Sequence, residues 1–376
     1  MKYKPLLAAA MIFCASALPA KESPQLEKNL YFYNWSDYIG PGVIEAFEKK
    51  TGVKVAYDVY DSNEVLQGKL LAGKSGFDLV SPSHDFYATQ INAKVYQKLD
   101  KSLIPNLKNL DPALMEKISA TIDPGNQYGI PYLITTTGIG YNKQAVEKAL
   151  GKDAPINSWA LVFEPENMKK LQKCGVAFLD APTEILPSMM TYMGLPGDSL
   201  NVKDYQKAVA KLKEVAPYVT YFHSTKSMAD LANGDICVAI AWSGDVYMAR
   251  ERAKAAKNGL DIRYSIPKEG AAISFDMLAI PADAPDPKAA HAMLNYLLEP
   301  KVAAETTNFV SYANPVPAST SFIKPEIANN PGIYPDPATK ELLFIFKPLP
   351  TSHKRGELDL RRYITQQWRK ITLTGH

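Results

Sequence analysis

Carboxylates stand beside aromatic rings at four places in this sequence. Trp35-Ser36-Asp37-Tyr38 follows a short apolar run at 30–33, and Glu184 comes shortly after a second run at 176–179. Trp242-Ser243-Gly244-Asp245 closes a third run, and Phe275-Asp276 lies within a fourth. An aromatic face attracts a cation through its quadrupole, and a carboxylate does so through charge-assisted hydrogen bonds. The combination suits an organic cation with ammonium groups at its ends and methylenes between. A direct ammonium–carboxylate bond is worth about 1.5–3 kcal/mol, and a cation over a ring about 0.5–2 kcal/mol. Several together reach micromolar binding after the ordering costs. Each unit alone also reads as core plus a helix cap, because an Asp after a strand commonly caps the next helix. Four directed into one cleft would be hard to explain as caps.

The elements that must position these groups alternate. Residues 30–33 read as a strand, 43–50 as a helix stopped by Gly52, and 53–60 as a strand. A helix at 64–72 closed by Gly73, a strand at 77–80 and a helix at 85–95 follow. Such alternation predicts a parallel sheet covered on both faces. The loops 35–38, 61–63 and 81–83 would then open on one edge, where ligands bind in open α/β sheets. A long β-rich stretch at 127–142 is placed to cross between two lobes. A second α/β pattern follows, with strands at 176–179, 236–242, 263–266 and 273–280. Helices at 202–215, 287–298, 301–307 and 358–371 complete it.

A chain of 376 residues accommodates two domains of ordinary size. Residues 1–20 carry Lys2 and Lys4, an apolar core at 6–18 and Ala17-Leu18-Pro19-Ala20, the pattern of a secretory signal. Met11-Ile12-Phe13 before Cys14 argues against lipid attachment. Removing that leader takes the formal charge from +3, with 42 basic and 39 acidic residues, to +1. A balance so even argues against a nucleic-acid or membrane footprint. Cys174 and Cys237 remain; export permits a disulfide between them, and two buried thiols are the alternative.

Residues 68–75 match the P-loop pattern, but a helix precedes them and a strand follows, the reverse of what phosphate binding needs. The five histidines show no metal-ligand spacing, and no Gly-x-Ser-x-Gly elbow occurs. The expectation is therefore binding without catalysis, cofactor or metal. An anion receptor would want Arg and helix N-termini rather than four carboxylates. A ferric receptor would favour clustered tyrosines, and an exported enzyme would show turnover of a bound amine.

Phe32-Tyr-Asn-Trp-Ser-Asp-Tyr-Ile39, Tyr57-Asp-Val-Tyr-Asp-Ser-Asn-Glu64, Thr136-Thr-Gly-Ile-Gly-Tyr-Asn142, Ser274-Phe-Asp276, Tyr312-Ala-Asn314 and Asn330-Pro-Gly-Ile-Tyr334 carry a resemblance. The chain resembles the periplasmic polyamine-binding proteins of bacterial ABC importers, the putrescine-binding type above all, which shares a cysteine pair like Cys174 and Cys237. The resemblance runs from about residue 28 to near the C-terminus. It implies an α/β, two-lobed periplasmic solute-binding fold with a hinge and an interlobe cleft. Residues 27–134 plus 250–310 would form the first lobe, and 135–249 plus 311–376 the second. The chain would cross near 134–138, near 245–250 and again close to Tyr312. Trp35, Tyr38, Trp242, Phe275 and Tyr312 would box the methylenes. Asp37, Glu184, Asp245 and Asp276 would hold the ammonium groups, with Ser36 and Ser83 as further acceptors. The partners implied are a polyamine, putrescine or spermidine, and an inner-membrane ABC permease, with the protein itself a monomer. Another cationic amine, or a sensor presenting polyamine to a regulator, would use the same pocket. Ser83-His84-Asp85-Phe86 departs from the family pattern and leaves the preferred amine open.

Overall fold

Strands β1 (Asn29–Trp35), β2 (Lys54–Tyr60) and β3 (Leu79–Val80) lie parallel in the order β2-β1-β3. The structure is a computed structural model that describes residues 29–347, 349 and 359–373. The leader read at 1–20 lies outside the described residues. Parallel neighbours need crossovers, here the helices Val43–Thr51 and Asn63–Ala72. The first buries Val43 and Phe47, one turn apart, and ends at Gly52 in the left-handed conformation that a Cβ disfavours.

Strand β4 (Gly129–Asn142) joins the halves. All of its residues but Ile134 are buried, as in a strand covered on both faces, although Thr135, Thr136 and Thr137 interrupt its apolar residues. The second half holds β5 (Val176–Phe178), β6 (Tyr221–Phe222), β7 (Val238–Trp242) and β8 (Ile262–Ser265). β9 (Ala271–Ala279) returns to the first half, and β10 (Leu343–Phe344) pairs with its start. β4 is antiparallel to β9 along 129–136, then to β7 and β8 along 137–142. One strand thus serves both sheets, and its change of partner falls between Thr136 and Thr137. Gly138 sits at that change because a Cβ there would lie 2.5 Å from the Ser265 carbonyl oxygen and the Tyr264 hydroxyl.

Separate cores lie on either side. Phe32, Phe47, Leu133, Leu278 and Leu294 pack on one face of the first sheet, and Leu66, Tyr87 and Met277 on the other. The second core gathers Trp159, Phe163, Phe178, Met189 and Ile240. The C-terminal helix Leu360–Thr372 joins it through Leu360, Ile364, Trp368 and Ile371, the spacing of a single helix face.

Residues 250–265, assigned to the first lobe from sequence, pack with the second. The helix after β7 does not turn back at 250 but runs Ser243–Ala256 to a left-handed Lys257. Val246, Ala249, Ala253 and Ile262 then pack on Leu231 and Ala239. The second crossing lies in β9, whose Ala271 belongs to the second core and Met277 to the first.

Cys174 and Cys237 form a disulfide with Cα atoms 5.4 Å apart, joining the chain just before the parallel neighbours β5 and β7. It closes a loop of 63 residues, worth at most about 4 kcal/mol in the chain-entropy account. Replacing both cysteines by serine is expected to lower the unfolding free energy by up to about that amount. The effect would be read as a lower midpoint in a denaturant titration.

Candidate functional site

Both halves present the carboxyl ends of parallel strands to one cleft, the position where open α/β sheets bind ligands. Trp35, Ser36 and Tyr38 come from the end of β1, and Asp61, Ser62, Asn63 and Glu64 from that of β2. Ser83, Asp85 and Phe86 follow β3, whereas Asp180, Thr183 and Glu184 follow β5. Trp242 ends β7 and Asp245 comes three residues later. Thr135 of β4, Ser274 and Asp276 of β9, Ala181, Ser224, Thr225, Tyr312 and Phe346 complete the lining. The cleft encloses about 960 Å3 of space outside the atoms, part of it open to solvent.

Local folding explains the recurrence of acids at strand ends. Glu64, Asp85, Glu184 and Asp245 each sit in the first turn of the helix that follows their strand. There the helix dipole favours negative charge. The cap-like placement and the site placement are one arrangement.

Four of the six lining rings meet in pairs. Trp35 of the first lobe and Trp242 of the second meet edge to face, with centroids 6.4 Å apart. Tyr38 and Tyr312 do likewise at 5.3 Å. Tyr60 backs Trp35 at 4.6 Å, and the Tyr132 hydroxyl donates to the Tyr38 carbonyl at 2.9 Å.

The deepest acids are held by neutral donors. Asp276 accepts from the Ser83 hydroxyl at 2.6 Å and from the Tyr38 hydroxyl. Asp245 accepts from the Tyr312 hydroxyl at 2.7 Å. Glu184 accepts from the Trp242 indole at 3.3 Å and from Thr137. Burial pushes Glu184 up to about 7, against the Thr137 and Trp242 hydrogen bonds, with Asp85 and Asp276 pushing further. Burial likewise pushes Asp245 and Asp276 up to about 6, each partly offset by its hydroxyl donors. Seven carboxylates line the cleft (Asp61, Glu64, Asp85, Asp180, Glu184, Asp245 and Asp276), and no Lys, Arg or His joins them among the described residues. Among those residues, no cluster of three or more His, Cys, Asp or Glu could hold a metal ion.

Of the eleven residues expected at the site, Trp35, Ser36, Tyr38, Ser83, Glu184, Trp242, Asp245, Asp276 and Tyr312 line the cleft. Phe275 does not. Successive side chains of a strand point to opposite faces, so with Ser274 and Asp276 turned to the cleft, Phe275 enters the core beside Tyr87 and Met277. Asp37 is exposed in a left-handed turn and pairs with Arg252 at 3.2 Å, just outside the lining. Sequence reasoning did not assign Asp61, Glu64, Asp85, Asp180, Phe86 or Phe346 to the site. Strand-end position signalled the first four. Phe346 had no local signal, since it arrives from a distant segment.

The sequence matches the bacterial extracellular solute-binding protein family over residues 42–335. The chain is a bacterial extracellular solute-binding protein. This solute-binding protein is 52% identical over 344 residues to a putrescine-binding periplasmic protein of Pseudomonas aeruginosa, covering 92% of each chain. It is 49% identical over 346 residues to a putrescine-binding periplasmic protein of Escherichia coli, covering 92% of this chain and 91% of that one. A solved Listeria monocytogenes structure, assigned to a spermidine/putrescine ABC transporter, superposes with a TM-score of 0.80 at 29% identity. That match covers 92% of this chain and 99% of the other. The fold is thus the mixed α/β periplasmic binding protein fold, and the protein is periplasmic. No described helix is long and apolar enough to cross a membrane.

The Tyr312 hydroxyl lowers the Asp245 carboxyl against the effect of burial. Tyr312→Phe is therefore expected to move the Asp245 titration midpoint above about 6, as followed by carboxyl 13C NMR of the ligand-free protein.

Proposed function

We propose that the protein captures a polyamine between its lobes, putrescine first and spermidine second, and delivers it to an inner-membrane ABC permease. The observation that carries this reading is the set of seven carboxylates with no cationic side chain among the described lining residues. Such a cleft calls for a ligand that brings its own positive charges. The rings of Trp35, Trp242, Tyr38 and Tyr312 provide an apolar wall for methylenes between those charges. Both bacterial relatives described above are putrescine-binding. The protein acts as a monomer, and binding is its whole activity, with no bond made or broken. The proposed hinge is the backbone the lobes share: β4, β9 and the stretch at Tyr312, where Ala313 bridges to Ile134. Closure about it brings the lobes onto the ligand.

Isothermal titration of the mature protein, refolded to strip any bound amine, tests the reading. Micromolar or tighter binding of putrescine or spermidine is expected, and no heat from either, in folded protein, would overturn it. Trp35→Ala and Asp245→Asn should each weaken binding about tenfold or more, the loss expected for a ring contact or a charge-assisted bond. Unchanged affinity in both would mean that the ligand binds elsewhere.

A pH dependence follows from the buried acids. Glu184, Asp245 and Asp276 have folded values above their ordinary ones, so between about pH 4 and 7 the folded state binds more protons than the unfolded one. Their contribution to stability is present below the ordinary carboxylate range and is lost as the pH rises through about 6 to 7. A cationic ligand favours the ionised forms. Putrescine affinity should therefore fall as the pH drops from 8 to 5, with proton release on binding near pH 6. The thermal shift caused by ligand should grow as the pH rises. Titrations in buffers of different ionisation heat check the release.

A further inference from the structure

His84 belongs to none of the ligand contacts described above, yet it is buried to 1% exposure directly beside them. It opens the helix His84–Asn92, next to Ser83, whose hydroxyl holds Asp276. Neither ring nitrogen has a well-aligned hydrogen-bond partner, though the Phe346 and Phe275 backbones lie close to them. Instead the ring lies on Phe275, centroids 4.6 Å apart, and faces Phe346 at 6.1 Å with planes 7° apart. Burial outweighs Asp85 and the nearby Phe346 and Phe275 carbonyls and lowers the imidazole below its ordinary value, which keeps the ring neutral and the stack apolar.

The other end of that stack is a segment that joins the second core through Leu343 and touches the first through Ile345. β10 pairs with Ala271 and Ala272 of β9, where Ala271 belongs to the second core. Phe344 occupies the space over Gly197, where a Cβ would come within 2.3 Å of its ring. Lys347 pairs with Asp198 at 2.6 Å. Gly197 and Asp198 follow the helix Pro182–Tyr192, which carries Glu184. Phe346, between these anchors, lines the cleft and reaches across to His84 of the first lobe.

We propose that residues 343–347 are a strap across the cleft, and that His84 is the positioning residue on the first lobe that receives it through Phe346. The stack forms only with the lobes together, so it resists reopening and sets how long the ligand stays. His84 itself makes no ligand contact. The inference rests on the polyamine reading of the same cleft.

The test is stopped-flow measurement of putrescine association and dissociation on the full mature protein, followed by tryptophan fluorescence. His84→Ala and Phe346→Ala should each speed dissociation by about two- to tenfold, the range spanned by one aromatic pair. Association of His84→Ala should be unchanged, because the strap engages after entry. The double variant should dissociate no faster than Phe346→Ala alone, since both remove one interaction. His84→Phe, which keeps a ring and loses both nitrogens, should restore slow dissociation. A general loss of packing would instead lower the melting temperature of the ligand-free variants. If His84→Ala does not fold, Phe346→Ala on the strap still reports the rate. Unchanged dissociation in Phe346→Ala, additive effects in the double variant, or failure of His84→Phe to rescue would overturn the strap. Wild-type protein that binds no putrescine would overturn the polyamine reading and the strap with it. Wild-type binding with unaltered rates in the variants overturns the strap alone.

Discussion

Negative charge without an internal answer governs this molecule. Taking an ionised carboxylate out of water costs several kcal/mol unless something positive or many donors replace the water. The protein supplies hydroxyls and an indole to Asp276, Asp245 and Glu184, and places no Lys, Arg or His on the described cleft wall. Neutral donors hold each carboxylate in position without cancelling its charge. An arginine there would stabilise the empty protein better but would occupy the place of an ammonium. Arg252 stands near but is engaged by Asp37 at the surface, where screening makes the pair weak.

The imbalance is divided between lobes, and that division couples charge to shape. Glu184 and Asp245 belong to the second lobe, Asp85 and Asp276 to the first. Burial raises the Glu184 carboxyl, and the charges of Asp85 and Asp276 across the cleft raise it further. A multivalent cation between them reverses the sign of that interaction, and a ligand shifts a conformational equilibrium only by such a difference. The backbone permits the response because β4 and β9 belong to both sheets while the cores on either side stay separate.

Much of this was legible in the residues. The strand ends at Trp35, Ser83, Glu184 and Trp242 stood out because apolar runs broke into polar and aromatic residues at the edge where such sheets bind ligands. Four things were not legible. The helix Ser243–Ala256 was read as a crossing, because nothing before Lys257 signals where it stops. The helix Pro182–Tyr192 carries Pro187 in its interior, a residue that argues against a helix, and the buried faces around Met189 and Met190 override it. Phe275 was placed in the cleft beside Asp276, although neighbours on one strand cannot share a face. Asp61 and Asp85 stand beside Tyr60 and Phe86, and Asp180 beside no ring; only the third dimension shows that all three line the cleft with rings from other strands.

The same arrangement explains how such a cleft would select among cations. A divalent metal wants six to eight oxygens converging at about 2.0–2.6 Å, and no carboxylate cluster among the described residues offers that. The rings of Trp35 and Trp242 stand between acids of the two lobes and contribute no oxygen. A monoamine would answer the acids at one end only and leave the others buried and unpaired, a penalty that grows with burial. A diamine answers both ends and puts its methylenes where the rings are. Selectivity for two charges a fixed distance apart would thus arise from what the empty protein leaves unsatisfied, more than from any single contact.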